Sequence, residues 1–336
     1  MKIIKPSIEI MRHGMETEIS TPEQHIEKVG RTCYKSEDKI TPTSAEKFVG
    51  GLVKRGHEAM IEHFSPIFRV EEGVYAEFLN DYEVMQHVVS VVNPKKYVRP
   101  FIRFSDVRTE EDSRYIVSGN MRAWRDYVKA CVEEFGYIPK YLYGVVHKFS
   151  VFFPEFIEMI PDNYEDMMTQ IAVSDLVGEF EHTMHHDITV KFTCDRGVSH
   201  EIVRHRTASF AQESTRYCNY GLGKFGGELT VIKPAKWIDI DESELIDNAA
   251  YGAWYLGCSN AEKYYFDMLN AGCSPQEARA VLPNSLKTEV IMTGNLDCWA
   301  HFFHLRCAPD AHPDIQVVAK MVRDEFIKMM PERYNG

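Results

Sequence analysis

The stretch ITVKFTCDRGVSHEIVRHRTASFAQESTRY, residues 188–217, decides the fold class and holds the densest polar chemistry of the chain. Its first residues, 188–192, alternate in polarity and are rich in β-branched side chains, which predicts a strand. The polar part, 196–217, carries four arginines among apolar residues such as Ile202, Val203 and Phe210. A solvated face is the usual reading of a charged run. The interleaved apolar residues instead favour a partly buried anion site.

Two of these arginines suggest a geometry. If residues 199–206 form a helix, Arg204 and Arg206 lie about 200° apart around its axis and face different partners. The planar fork of arginine donates paired hydrogen bonds to phosphate or to a pyrimidine carbonyl edge, and it keeps its charge at any ordinary pH. The segment therefore predicts phosphorylated or enolizable ligands.

The rest of the chain mixes helix and strand signals. Capping patterns at 21–24, 43–46 and 274–277 predict three helix starts, and apolar residues at helical spacing over 315–326 predict an amphipathic helix. The stretches that read as further strands are 3–10, 65–70, 115–118 and 229–232. This mixture predicts an α+β fold.

One block has a different character. Residues 121–186 are rich in aromatic residues and methionine, and Trp124, Tyr127, Val128 and Cys131 mark one helical face. We predict a single domain over residues 1–336 with a helical subdomain, 121–186, inserted into it.

Composition narrows the function. With 44% hydrophobic and 26% charged residues, the chain is typical of a soluble globular protein. A formal charge of -12 argues against a broad nucleic-acid surface. We expect no membrane segment and no signal peptide, because no long apolar run and no cleavable leader pattern occur. Eight cysteines without a C-x-x-C pair predict reduced thiols and a cytoplasmic protein.

Three motifs resemble metal-binding or dinucleotide-binding patterns, but their spacing or context does not support such a site. His57 and His63 are six residues apart, whereas a zinc-binding helix needs histidines four apart. The histidines at 182, 185 and 186 are better explained as a helix end than as a metal site. Residues 221–226 match G-x-G-x-x-G, but a strand pattern follows them where a helix is needed, so we predict a loop. No metal site is predicted.

Arg204, His205 and Arg206, followed by seven residues and then Ser214, resemble the signature of the flavin-dependent thymidylate synthases, the ThyX class. Segments 57–63, 278–283 and 302–306 resemble that family's other blocks in the same order. The resemblance covers roughly residues 1–100 and 187–335 and leaves the block 121–186 unaccounted for. It implies a central, mostly antiparallel sheet flanked by helices, and a homotetramer whose subunits share active sites.

The resemblance also implies an activity: reductive methylation of dUMP to dTMP, with 5,10-methylenetetrahydrofolate as carbon donor and NADPH-reduced FAD as hydride source. Arg306 would be catalytic, lying against the uracil and favouring its ionisation at N3. The residues implied for dUMP are Glu201, Arg204, Gln212, Glu213, Ser214, Thr215, Arg216, Arg279 and Arg306. Those implied for FAD are His57, Glu62, Arg204, His205, Arg206, Asn295 and His301.

Departures from the family pattern leave alternatives open. Glu201 stands where glutamine is usual, and further departures fall at Ala59, Ala211, Asp297 and Asp310. One alternative is a related enzyme that methylates or hydroxymethylates another uridine nucleotide. Another is a non-catalytic flavin- or nucleotide-binding protein. Because no base accompanies Ser214 in the sequence, we expect this serine to bind ligand and not to act as a nucleophile.

Overall fold

The computed structural model describes residues 1–12, 21–91, 102–108, 113–216, 219–221, 226–245 and 247–334. Its helices and largely antiparallel sheets confirm the α+β prediction. The strands are β1 Lys2–Ile4, β2 Ser7–Arg12, β3 Ile67–Val70, β4 Ile102–Arg108, β5 Ser113–Gly119, β6 Met168–Ile171, β7 Asp187–Asp195, β8 Ser209–Gln212, β9 Thr230–Ile232 and β10 Lys287–Asn295. The α-helices are α1 Pro22–Tyr34, α2 Ala45–Lys54, α3 Glu72–Val91, α4 Met121–Phe135, α5 Tyr143–Lys148, α6 Gly178–His185, α7 Arg196–Ile202, α8 Ala249–Asn270, α9 Pro275–Ala278, α10 Leu296–Arg306, α11 Pro313–Met329 and α12 Pro331–Tyr334.

An antiparallel sheet in the order β2-β7-β10-β8 forms the centre of the C-terminal half. In β10, Lys287 lies opposite Asp195 and Asn295 lies opposite Asp187 of β7. The buried side chains of α7, α10 and α11 share one hydrophobic core with this sheet. The predicted apolar face of α11 is confirmed, because all five of its side chains are fully buried: Ile315, Val318, Ala319, Val322 and Phe326.

A second antiparallel sheet, in the order β4-β5-β3-β6, forms another core. Trp124 and Tyr127 of α4 are fully buried there, and the Trp124 ring lies 5.5 Å from that of Phe68 in β3. Helices occupy much of 121–186, as predicted, but β6 also falls in this range and pairs with β3 outside it. That this block is an insertion into a single domain stays a prediction.

The three helix starts predicted from capping patterns are confirmed, although α1 extends to Tyr34. Thr21 with Gln24, and Ser274 with Glu277, form the predicted capping boxes of α1 and α9. Helix α2 begins at Ala45 without a side-chain cap, because the hydroxyl of its N-cap residue Ser44 accepts from the N–H of Thr41 and donates to Glu27.

The predicted strand over 3–10 is two strands. They separate at Lys5 and Pro6, where proline has no N–H for a sheet ladder. β1 then pairs in parallel with β9, while β2 pairs with β7.

Within the described residues, no helix combines the length and the apolar character needed to cross a bilayer.

Candidate functional site

Arg306, the last residue of α10, is the centre of the best-defined polar cluster. Its Nη1 donates to Oε2 of Glu201 at 2.8 Å and its Nη2 donates to the Glu201 carbonyl at 3.1 Å. Its Nε donates to Nε2 of His205 at 3.1 Å. Glu201 lies in the last turn of α7, so the ends of α7 and α10 hold the guanidinium between them. Two N–H groups of Arg306 remain for a ligand after these three bonds.

His205 supports this arrangement as a neutral imidazole. Burial, followed by the charges of Arg306 and His301, lowers the pKa of His205 to about 4. Because Nε2 accepts from Arg306, the ring proton is assigned to Nδ1. Nδ1 is buried and makes no hydrogen bond within the described part of the chain. The ring packs 4.9 Å from that of Phe302, which fixes its plane.

Arg204 and Arg206 lie beyond the helix and not in it. The condition that residues 199–206 form a helix is not met, because α7 ends at Ile202 and His205 is buried under α10. The opposed geometry inferred from that helix therefore falls away. Both arginines are exposed, as is much of Val203, and neither side chain makes an ion pair or hydrogen bond with another described residue.

The residues assigned to the nucleotide lie partly at the far end of β8. Gln212 is the last residue of this strand, and its Nε2 donates to Oγ of Ser199 in α7 at 2.8 Å. The hydroxyl of Ser214 accepts from the backbone N–H of Arg216 at 3.3 Å, and its own N–H donates to the carbonyl of Cys33. Thr215 is partly buried between them. This turn therefore follows directly from the strand that carries Gln212.

Glu213 belongs to a buried ion-pair network that sequence reasoning missed. Lys287 bridges Glu213 at 2.9 Å and Glu289 at 2.8 Å, and Lys35 contacts Glu289 as well. Although burial opposes it, Lys287 and Lys35 lower the pKa of Glu289 to about 2. A cavity of about 650 Å³ opens beside Lys35, Glu213 and Lys287. Lys287 and Glu289 are two residues apart in β10 and therefore lie on the same face of the sheet. Recognition of this strand would have placed them together.

The residues assigned to the flavin are more spread out. Exposed His57 bonds the Tyr34 hydroxyl at 3.3 Å, while Glu62 is buried and accepts from Arg122 at 2.8 Å. Asn295 caps α10 by accepting from the N–H of Cys298, and its Nδ2 donates to the carbonyl of Met184 at 3.2 Å.

Buried His63 ties the segment that holds His57 and Glu62 to the central sheet. Its Nδ1 lies 2.7 Å from the hydroxyl of Thr293 in β10. Burial lowers the pKa of His63 to about 4, so this imidazole is neutral near pH 7. These contacts agree with a structural role for this histidine.

The structure brings only part of the predicted set into direct contact. Glu201, His205, His301 and Arg306 form one group, since the rings of His205 and His301 lie 5.8 Å apart. Arg279 follows α9 and is exposed, and no hydrogen bond or ion pair links it to Arg306 within the described residues. Tyr217 and residues 222–225 of the predicted glycine loop lie outside the described residues.

Comparison with known proteins places this site in a family. The chain is 34% identical over 135 residues to a protein named flavin-dependent thymidylate synthase from Pyrococcus furiosus, covering 40% of this chain and 52% of the relative. Proteins of the same name from Geobacter sulfurreducens and Mycobacterium tuberculosis are 32% and 30% identical over 124 and 151 residues, covering 37% and 43% of this chain and 49% and 58% of the relatives. The chain thus spans about half the length of the curated relatives it matches.

Among the solved structures that this chain resembles is a UMP/dUMP methylase PolB from Streptomyces cacaoi bound with 5-Br dUMP. It is 25% identical, with a TM-score of 0.35, and the match covers 44% of this chain and 68% of that chain. The sequence model of the family Thy1, thymidylate synthase complementing protein, matches residues 157–332. Because this match covers just over half of the chain and includes the Glu201, His205 and Arg306 group, the chain belongs to the Thy1 family of thymidylate synthase complementing proteins.

Proposed function

We propose that the chain is a flavin-dependent thymidylate synthase, a methyltransferase that converts dUMP to dTMP. The carbon donor is 5,10-methylenetetrahydrofolate, and NADPH reduces the bound FAD. The observation that carries the proposal is the fixed guanidinium of Arg306 beside the neutral imidazole of His205. The names of the relatives from three genera support the same reaction.

The residues around Arg306 suit a pyrimidine that becomes anionic. A guanidinium held by Glu201 and His205 does not need to reorganise when negative charge develops on the uracil carbonyls. Its two remaining N–H groups can donate to the pyrimidine edge. Because the pKa of His205 is lowered to about 4, its neutral Nε2 can accept from Arg306 near pH 7 and the ring does not repel the guanidinium.

The residues present also fit FAD. Arg204 and Arg206 are exposed and unpaired within the described residues, and each offers five N–H donors to a diphosphate. Val203, next to Arg204 in the chain, and Leu305, next to Arg306, are 38% and 41% exposed, which gives apolar surface for a ring. When bound, FAD supplies the hydride for the methylene group, and the chain supplies its orientation.

Neither cysteine nor serine is needed as a nucleophile in this proposal. Burial raises the pKa of the thiols of Cys194 and Cys298, so these thiols are poor nucleophiles near pH 7. Ser214 contacts backbone groups and no basic side chain among its hydrogen-bond partners within the described residues. We therefore assign Ser214 to phosphate binding, together with Arg216. We place the activity in the cytoplasm, where these unpaired thiols remain reduced.

A homotetramer with shared active sites is part of the proposal. Helix α8 has 22 residues, of which three are buried. Tyr255, Leu256 and Tyr264 on this helix are 42%, 60% and 52% exposed, which is typical of a surface covered by another subunit. Exposed Arg279 would then reach the nucleotide of a neighbouring subunit. Size-exclusion chromatography with light scattering tests the tetramer directly.

The decisive experiment is incubation of the purified protein with FAD, NADPH, methylenetetrahydrofolate and dUMP, followed by mass analysis of the nucleotide. The proposal expects dTMP. A product one oxygen heavier than dTMP would show that the reaction is hydroxymethylation and not methylation. Turnover of UMP but not of dUMP would show that the substrate is UMP. Flavin binding without turnover of either nucleotide would indicate a binding protein and would refute the proposed enzymatic activity.

Arg306→Ala tests the catalytic residue. We expect turnover to fall by about 10²–10³-fold, because removal of one fixed donor to a developing anion has effects of this size. His304→Ala is the matched control, since His304 is exposed on the same helix. Both variants should keep the wild-type fold, as circular dichroism would show. Full activity of Arg306→Ala would contradict the assignment.

A further inference from the structure

The block 121–186 contacts the proposed flavin site through its first helix, α4. Arg122 of this helix donates from Nη1 to Oε1 of Glu62 at 2.8 Å. One residue earlier, the backbone N–H of Met121 donates to the carbonyl of Phe64 at 2.9 Å. The start of α4 therefore holds the short segment that contains Glu62.

The contact with Arg122 stabilises Glu62, whose side chain is only 11% exposed. An ionised carboxylate removed from water is strongly unfavourable unless a positive charge and hydrogen bonds compensate it. Arg122 supplies a positive charge and one hydrogen bond. The neighbouring carboxylate of Glu58 is paired more closely by Lys129 at 3.0 Å and Arg125 at 3.3 Å, while Nε of Arg122 lies 4.0 Å from it. Lys129 and Arg125 lower the pKa of Glu58 against the effect of burial.

The other side of the segment is fixed to the central sheet. His63, next to Glu62, bonds Thr293 of β10 through its imidazole. Two residues further along the chain, Asn295 donates to the carbonyl of Met184, which lies in α6 of the block. The block thus contacts two of the residues assigned to FAD, one through Arg122 and one through a backbone carbonyl.

We propose that Arg122 is a positioning residue for FAD: it sets the orientation of Glu62, and the block 121–186 serves to support the flavin-binding side of the site. The inference rests on the proposed function, because it takes Glu62 as a flavin contact. Arg122 itself acts through Glu62. The block therefore has a role in cofactor binding that follows from its contacts with residues 57–64.

The test compares Arg122→Met with Lys129→Met in the full-length protein. Lys129 lies two turns further along α4 and pairs with Glu58 but not with Glu62, so it is a matched control. FAD affinity is measured by quenching of flavin fluorescence, dUMP affinity by calorimetry, and stability of the flavin-free protein by thermal melting. Arg122→Lys is included because a lysine can restore the single ion pair with Glu62.

We expect Arg122→Met to weaken FAD binding by about tenfold or more, as loss of one partner of a buried pair does, with dUMP affinity within about twofold of wild type. Lys129→Met should bind FAD normally, and Arg122→Lys should recover most of the affinity. Normal FAD binding by Arg122→Met would overturn the inference. An equal loss of dUMP affinity would also overturn it, since that indicates a general structural role.

Two further results keep the inference falsifiable. If Arg122→Met does not fold, Arg122→Lys and Arg122→Gln decide the matter, and FAD affinities of both equal to wild type would overturn the positioning role. If the wild-type protein itself takes up no FAD, the proposed function fails together with this inference. If the wild-type protein binds FAD and Arg122→Met binds it equally well, the inference about Arg122 is refuted but the proposed function is not.

Discussion

Substitution of Lys287 by methionine removes the cation that joins two acidic residues at the end of the central sheet where we propose that the nucleotide binds. Its Nζ lies 2.9 Å from Oε2 of Glu213 and 2.8 Å from Oε1 of Glu289. The side chain of Glu213 is 2% exposed, so water cannot replace the lost partner. Lys35 is the remaining cation, and it lies 4.0 Å from Glu213.

The expected effect is large because a carboxylate is left buried without a close partner. Loss of one partner of a buried pair destabilises proteins by about 3–5 kcal/mol. The side chains of Lys287 and Glu289 are 17% and 15% exposed, and Lys35 compensates part of the charge, so solvent and this lysine reduce the effect. We therefore expect Lys287→Met to lower the free energy of unfolding by about 3 kcal/mol, at the lower end of that range.

Urea unfolding followed by tryptophan fluorescence and circular dichroism measures this loss. Lys263→Met is the control, since the pair of Lys263 with Asp267 is 65% and 55% exposed and should leave the midpoint unchanged. Because Glu213 precedes Ser214, dUMP affinity of Lys287→Met should fall as well. A loss below about 1 kcal/mol, or an equal loss in Lys263→Met, would refute the view that a buried network holds this end of β8.

Two further predictions concern charge. Glu201→Gln keeps a hydrogen-bond acceptor for Arg306 but removes the negative charge that competes with an anionic ligand for this arginine. Because a partly exposed ion pair contributes about 1 kcal/mol or less, the KM for dUMP should fall by up to about fivefold. A higher KM would contradict this prediction. Burial lowers the pKa of four histidines to about 3 or 4, below the ordinary 6.5, so the unfolded chain binds more protons at mildly acidic pH. Stability should therefore be complete above about pH 6.5 and fall steadily towards pH 4, which urea midpoints across this range would measure; a flat profile would contradict the prediction. These histidines are His25, His63, His185 and His205.

Helices with local signals could be predicted from the sequence. The capping boxes at Thr21 and Ser274, and the apolar face of α11, depend on residues within one or two turns, and the structure confirms them. Whether a helix extends over all of 199–206 could not be decided from local signals. α7 ends at Ile202, and His205 packs under α10 against Phe302, a residue 97 positions away.

Strand pairing was harder to predict. β10, between β7 and β8, was missed although Thr288, Val290, Ile291 and Thr293 are β-branched, because Gly294 and the charged residues at its start weaken the signal. Its partners lie up to 108 positions away along the chain. Without this strand, Lys287 and Glu289 could not be placed beside Glu213.

The polar group of the site shows the same limit. Glu201 and Arg306 are 105 positions apart, so no spacing rule could have joined them, and only the family resemblance did so. The charges of the site could be anticipated better than its contacts. The chain has a net charge of -12, and most basic side chains of the polar clusters form ion pairs with carboxylates, as Arg122, Lys287 and Arg306 do.

Arg204 and Arg206 are different because they remain exposed and unpaired within the described residues although acidic side chains outnumber basic ones. Pairing them with carboxylates would have been easy and would have stabilised the fold slightly, but a paired arginine has fewer donors for an anion. Exposed Val203, next to Arg204 in the chain, and exposed Leu305, next to Arg306, add apolar surface that water covers unfavourably. Both features are explained if a ligand that combines phosphate charge with an apolar ring covers this surface, which is the chemistry of FAD.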